Sequence, residues 1–146
     1  MKHKTIAKNV MCFGTFDLLH LGHLNYFQQA KKYGTYLIVV VARDYTKQKQ
    51  RKKLLFTERE RAEMIQHLDI VDKVVLGYFD DHYRIILEKR PDVICLGYDQ
   101  LVSIESLKKE LELRGISPQI IRLKPFKHNT QKSSLLKHKI GSFLSK

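Results

Sequence analysis

The 146-residue sequence predicts an α/β protein: a doubly wound, five-stranded parallel sheet with helices on both faces, forming one domain over residues 1–146. Three observations predict it. Short apolar runs alternate with amphipathic stretches from end to end. The run at 36–42 is apolar without alternation, as expected of a strand covered on both faces. Glycines follow most of these segments, where the chain must turn.

Val10 to Phe13 reads as the first strand, ending at Gly14. Leu21, Leu24, Phe27 and Ala30 recur at helical spacing across a helix from Leu21 to Tyr33 that Gly34 closes. Tyr36 to Ala42 is the second strand, and a basic loop follows it. Thr57 with Glu60 forms a capping box opening a helix whose inner face is Ala62, Ile65 and Leu68. Lys73 to Leu76 is the third strand, ended by Gly77; a helix near His82 to Arg90 leads through Pro91 into the fourth, Val93 to Leu96, which runs out in Gly97-Tyr98-Asp99-Gln100. Helix Ile104 to Arg114, closed by Gly115, leads through Pro118 to a fifth strand, Gln119 to Leu123. A last helix starts at Ser133 or Ser134, either of which is a competent N-cap. Sheets of this Rossmann-like kind bind ligands beyond the carboxyl ends of their strands, so chemistry is sought just after strands one, two, four and five.

Composition narrows the class. Hydrophobic residues make up 43% and charged residues 29%, while seven Gly and three Pro are too few for a low-complexity chain. The longest purely apolar run, Leu37 to Ala42, is far short of the ~20 residues a bilayer span needs. With no signal-peptide pattern either, the chain is expected to be cytoplasmic, with no membrane partner. Cys12 and Cys95 each sit in an apolar strand run, so neither a disulfide nor a metal quartet is expected.

The formal charge of +12 is concentrated. Residues 43–53 hold six basic and one acidic residue, residues 122–146 hold seven basic and none acidic, and the remaining 14 basic and 14 acidic residues cancel. Two cationic stretches on a neutral body suit a compact polyanion. Solvated charged surfaces and weakly specific RNA binding are the alternatives, but no aromatic-plus-basic RNA motif is recognisable, and no nucleic-acid partner is expected.

After strand one the chain reads Gly14-Thr15-Phe16-Asp17-Leu18-Leu19-His20-Leu21-Gly22-His23. This is neither the GxGxxG fingerprint nor a P-loop. His20 and His23, three apart at the start of a helix, share one face, and Gly22 lets a ligand approach the backbone. Imidazoles beside helix-start amides suit charge developing on phosphorus. A two-His metal site lacks an evident third ligand. Imidazoles that merely cap or pad the helix are the remaining reading.

Gly14 to His23 resembles the GTFDxxHxGH signature of the cytidylyltransferase-like nucleotidyltransferases, and the likeness runs through Thr57 to Leu76 and from Gly97 to Ser134. Within that superfamily the chain is most similar to archaeal-type FAD synthetases, through Val41-Ala42-Arg43-Asp44, Val71 to Gly77, Leu96 to Gln100 and Leu107 to Glu112. Glycerol-3-phosphate cytidylyltransferases come next. The resemblance implies in-line attack by an acceptor phosphate on the α-phosphorus of a nucleoside triphosphate, releasing pyrophosphate with no covalent enzyme intermediate. The favoured pair is ATP and FMN, giving FAD; the alternative is CTP with glycerol 3-phosphate or a similar small phosphate.

The resemblance assigns catalysis to His20 and His23, with Lys49 or Lys52 holding phosphates. It places Gly14, Thr15 and Phe16 in the nucleotide loop with Gly22, and Arg61 near the nucleotide. Gly97, Asp99 and Gln100 lie by the ribose or base, and Ser133 and Ser134 donate to the phosphates. Mg2+ is expected to travel with the triphosphate. A homodimer is compatible with the likeness. Tyr78, Phe79, Tyr83 and Phe126 are candidates to stack on an isoalloxazine ring.

The chain departs from its relatives in three places. Where cytidylyltransferases carry Arg-Thr-x-Gly-Ile-Ser-Thr it reads His128-Asn129-Thr130-Gln131-Lys132-Ser133-Ser134, leaving Lys132 or His128 to replace the arginine. The cysteine pair common near this point in archaeal-type FAD synthetases is missing. Position 21 is Leu where the glycerol-3-phosphate enzymes typically have Trp, which favours FMN.

Overall fold

A computed structural model describes residues 7–126 and 133–145. Five parallel strands, β1 (Asn9–Gly14), β2 (Tyr36–Val41), β3 (Lys73–Leu76), β4 (Val93–Leu96) and β5 (Gln119–Arg122), form one sheet in the order β3-β2-β1-β4-β5. The chain builds outward from β1 to β3, then returns to lay β4 on the other side of β1. The exits of β1 and β4 therefore flank the switch point, where neighbouring connections diverge and leave a crevice.

Strand side chains alternate between two apolar layers, so β1, β2 and β4 are hydrophobic on both faces. Val10 and Cys12, with Leu37, Val39, Val41, Val93 and Cys95, pack under α1 (Leu21–Lys31) and α3 (Glu58–Gln66) through Phe27, Ala30 and Ile65. Met11, Ile38, Val40, Ile94 and Leu96 point the other way, onto α4 (Arg84–Lys89) and α5 (Ile104–Leu113) through Ile85, Ile86, Leu107 and Leu111. The doubly wound five-stranded sheet is thus the observed fold. Cys12 and Cys95 are buried neighbours in register, and burial pushes both thiols up, Cys95 to about 12.

Several predicted boundaries move. The stretch predicted as a basic loop contains a short helix, α2 (Asp44–Lys49), begun by an acidic residue and ending in lysine as the helix dipole favours. Helix α1 stops at Lys31 because the amides of Lys32 and Tyr33 bond back three residues, to the carbonyls of Gln29 and Ala30, at 3.2 and 3.0 Å. His82 and Tyr83 fall in a turn before α4, with the Tyr83 amide donating to Asp81 Oδ1 at 2.9 Å. Of the predicted capping box, the Thr57 half is present: its Oγ1 accepts from the Glu60 amide at 3.2 Å, while the Glu60 carboxylate accepts from the Thr57 hydroxyl rather than from its amide. Helix α6 (Ser133–Leu144) begins at the first of the two predicted serines.

Candidate active site

β1 ends at Gly14, where a Cβ would lie 2.5 Å from Cζ of Phe16. Phe16 folds back over this glycine with a φ of 57°, a left-handed conformation that costs a residue with a side chain roughly 1–2 kcal/mol. Packing holds it there. Its ring is buried, 5.3 Å from Phe27 and 5.2 Å from the His23 ring, which it meets edge-on. Gly14 and Phe16 thus build the floor under the second histidine.

His20 is the N-cap of α1 in extended conformation, and its Nδ1 accepts from the Gly22 amide at 3.0 Å. In return, Nδ1 of His23 accepts from the His20 amide at 3.3 Å. Two imidazoles thus make the reciprocal capping arrangement usually made by a hydroxyl and a carboxylate. Their rings stack, with centres 3.9 Å apart and planes at 27°. Since each Nδ1 is an acceptor, a neutral ring carries its proton on Nε2, which leaves two N–H donors on adjacent rings. Both rings are held neutral. Burial lowers the pKa of His20 against the pull of Asp99, and burial followed by the neighbouring His20 pushes His23 down to about 3. The Gly22 amide is thus already engaged by His20.

Arg61 departs furthest from its expected surroundings. Its side chain is fully buried, donating from Nη1 to Thr15 O at 2.7 Å, from Nη2 to Ala42 O at 2.9 Å and Asp44 Oδ1 at 2.7 Å, and from Nε to Phe56 O at 3.3 Å. It ties the exits of β1 and β2 to α2. The tie extends to β3: Asp44 and Glu58 exchange bonds with each other's amides, and Arg43 bridges Glu58 Oε2 at 2.7 Å to Gly77 O at 2.6 Å.

Asp17, also buried, accepts from the amides of Leu55 and Phe56 and from Lys137 of α6. Burial alone would raise its pKa; the bonds from Lys137, Leu55 and Phe56 together outweigh burial and hold the carboxyl below its ordinary value. One carboxylate thereby fastens the histidine loop to the basic segment and to the last helix.

On the β4 side, Gln100 donates from Nε2 to Phe13 O at 2.6 Å and accepts from the Gly97 amide at 2.9 Å, bridging the exits of β1 and β4. Arg122 clamps the same turn, donating from Nη1 to Gly97 O at 2.9 Å and Gln100 O at 2.8 Å, and from Nη2 to Val102 O. Asp99 acts electrostatically on His20, so the two share the crevice.

Among the predicted lysines, Lys49 lies over the Tyr45 ring, its Nζ 5.3 Å from the ring centre. Lys52 instead faces Lys47, a partly buried lysine whose pKa is lowered by burial, then by Lys52 and Arg61. The structure therefore brings together Gly14, Thr15, Phe16, His20, Gly22, His23, Gly97, Asp99 and Gln100 at the two central exits, with Arg61 beneath them. Ser133 and Ser134 open α6, while Lys132 and His128 lie outside the described residues. Sequence reading missed Asp17, Asp44, Lys47, Arg122 and Lys137 as site builders. Of these, Asp17, inside the histidine motif, and Asp44, inside the Val41-Ala42-Arg43-Asp44 segment, carried a local signal.

Residues 11–139 match the family model described as cytidylyltransferase-like. The chain belongs to the cytidylyltransferase-like family, and so to the nucleotidyltransferases. Among its relatives, "FAD synthase" of Thermoplasma acidophilum is 40% identical over 131 residues, covering 90% of this chain and 92% of that protein. "FAD synthase" of Methanohalobium evestigatum is 45% identical over 118 residues, 81% of this chain and 78% of that one. The crystal structure of a "lipopolysaccharide core biosynthesis protein" from Thermoplasma volcanium superposes with a TM-score of 0.80 at 39% identity, covering 82% of this chain and 98% of the other.

For a nucleotidyltransferase the useful feature of this site is that its donors are already oriented. Two Nε2–H groups, fixed by their own caps, can donate to phosphate oxygens without reorganising as charge builds. Among the described residues no group of three or more His, Cys, Asp or Glu is gathered as a bound metal would require, and no helix is long and apolar enough to cross a membrane.

Proposed function

We propose that this protein transfers AMP from ATP to FMN, forming FAD and pyrophosphate. A phosphate oxygen of FMN attacks the α-phosphorus, the bond from that phosphorus to the α–β bridging oxygen breaks, and pyrophosphate carries away the released charge. The observation that carries the acceptor's identity is the 40% agreement, over nine-tenths of the chain, with a relative named FAD synthase.

In this reading His20 and His23 donate from Nε2 to oxygens around the breaking bond, remaining neutral donors throughout. Lys47 and Lys52 meet the α-phosphate and the incoming acceptor phosphate from the β2 side, where an arriving anion would offset the burial and the neighbouring cations that together lower the Lys47 pKa. Asp99 and the turn from Gly97 to Gln100 face the nucleoside, and the start of α6 at Ser133 and Ser134 faces the phosphates. The donor set, rich in N–H groups and poor in clustered carboxylates, fits a Mg2+ ion that arrives on the triphosphate. There it would neutralise phosphate charge.

The test is direct. Purified protein with Mg-ATP and FMN should yield FAD and pyrophosphate by chromatography, whereas CTP with glycerol 3-phosphate should yield nothing. FAD formation absent while another nucleotide and acceptor pair turns over would reject the assignment.

A further inference from the structure

The proposed reaction needs a place for the flavin ring, and the exits of β2 and β3 supply one. The nucleotide reading fills the crevice between β1 and β4, so an acceptor attacking from the side away from pyrophosphate extends toward β2 and β3. Adjacent strands lie about 4.8 Å apart, which puts the β3 exit about 10 Å from that of β1. An extended ribityl chain holds the isoalloxazine roughly 8–9 Å from its phosphorus. The two lengths agree.

Five aromatic side chains come into question at the strand exits, and their surroundings separate them. Tyr78 is covered by the Arg84 guanidinium and donates its hydroxyl to Glu88, and Tyr83 lies under Arg114, 4.7 Å from its ring centre. Both turn toward the α4 layer. Phe126 follows β5, at the edge of the sheet opposite the β2 and β3 exits. Phe79 and Tyr45 are different. They are 56% and 47% exposed, meet edge to face with centres 5.9 Å apart, and sit just past β3 and β2. Arg43 stands 4.5 Å from the Phe79 ring centre while its other bonds hold it to Gly77 O and Glu58. Lys49 covers Tyr45 in the same way. Each ring is thus oriented by a cation, and much of its surface is left to water. A planar, electron-poor heterocycle is the ligand such rings recognise by stacking.

We propose that Phe79 and Tyr45 form the platform for the isoalloxazine ring of FMN, one ring stacking on its face and the other, set at 72° to the first, meeting its edge, with Arg43 fixing the orientation of Phe79. The platform rests on the FMN reading above and adds the residues that select a flavin over a small phosphate such as glycerol 3-phosphate. Lys49, assigned by resemblance to phosphate, belongs on this view to the acceptor side through Tyr45.

Stacking quenches flavin fluorescence, so titrating FMN with protein in the absence of ATP reads the platform directly. Phe79→Ala and Tyr45→Ala should each weaken FMN binding about 5- to 100-fold and raise the KM for FMN to match, leaving the KM for ATP in place. Phe79→Trp should retain binding and quenching. Both positions are exposed, and thermal melts of all three variants should overlay that of the wild type. Unchanged FMN affinity in both alanine variants, with wild-type protein making FAD, would overturn the platform alone. Equal losses for ATP and FMN would also overturn it. Wild-type protein that makes no FAD would overturn the flavin reading, and the platform with it.

Discussion

Arg61 separates two roles that its position in the chain leaves equal. Near the nucleotide it would bind phosphate; in the structure it is a buried tie between Thr15, Ala42, Phe56 and Asp44. Replacing it with Leu keeps the bulk and leaves three carbonyl oxygens and one carboxylate without their donor. Removing one partner of a buried ion pair costs about 3–5 kcal/mol, because the other charge stays desolvated. Asp44 is one-third exposed, so water can reach its carboxylate and the lower end of that range applies to the pair. The stranded carbonyls of Thr15 and Ala42 add to it, at roughly 1–3 kcal/mol for each that stays dry. With one of the two carbonyls reached by water, the loss is about 4 kcal/mol, a large part of the 5–15 kcal/mol typical of a domain. With a urea m-value near 2 kcal/mol/M, the unfolding midpoint should fall by about 2 M. Arg61→Lys retains the charge without the planar fork and should fall between. A midpoint within about 0.3 M of wild type for Arg61→Leu, together with a raised KM for ATP, would refute the tie and return Arg61 to the ligand surface.

Three further outcomes follow from the same geometry. His20→Ala and His23→Ala should each lower turnover roughly 10²–10³-fold, about 3–4 kcal/mol in the barrier; His20→Ser, a good cap, should recover any lost melting temperature and none of the rate. Because the folded pKa of His23 lies near 3, below its ordinary 6.5, the unfolded chain takes up a proton that the fold refuses. Stability should therefore be fully present above pH 6.5 and fall on acidification toward pH 3, by up to about 1.4 kcal/mol per unit; a urea midpoint series from pH 7 to 4 in wild type and His23→Gln should show the slope flattening in the variant. Asp17→Asn weakens the acceptor for Leu55, Phe56 and Lys137. Hydrogen exchange at the first two amides should accelerate at least 10-fold, with a rise in the KM for ATP, and unchanged protection would refute the clamp.

Much of this molecule was legible locally. The apolar runs at 10–13, 36–42 and 93–96 read as strands, the second as one covered on both faces, and the two apolar layers on either side of the sheet bear that out. The histidine motif was visible because three-residue spacing at a helix start forces two side chains onto one face. The short helix α2 was missed because polar and charged residues such as Thr46, Lys47, Gln48 and Lys49 form no apolar stripe and read equally well as loop. Lys47 was passed over for Lys49 for the same reason: adjacent charges on a polar segment do not reveal which one turns inward.

The sequence by itself determined the five strands and the pair of imidazoles at the first strand's exit, since periodicity, caps and turns act over a few residues, while the strand order that sets the switch point between β1 and β4 belongs to the tertiary structure. Only the tertiary structure decided which polar groups meet. Arg61 reaches Thr15 across 46 residues and Lys137 reaches Asp17 across 120, and no local pattern encodes either meeting. Burying a charge is tolerable only where a partner waits, so the identity of that partner follows from how the layers pack.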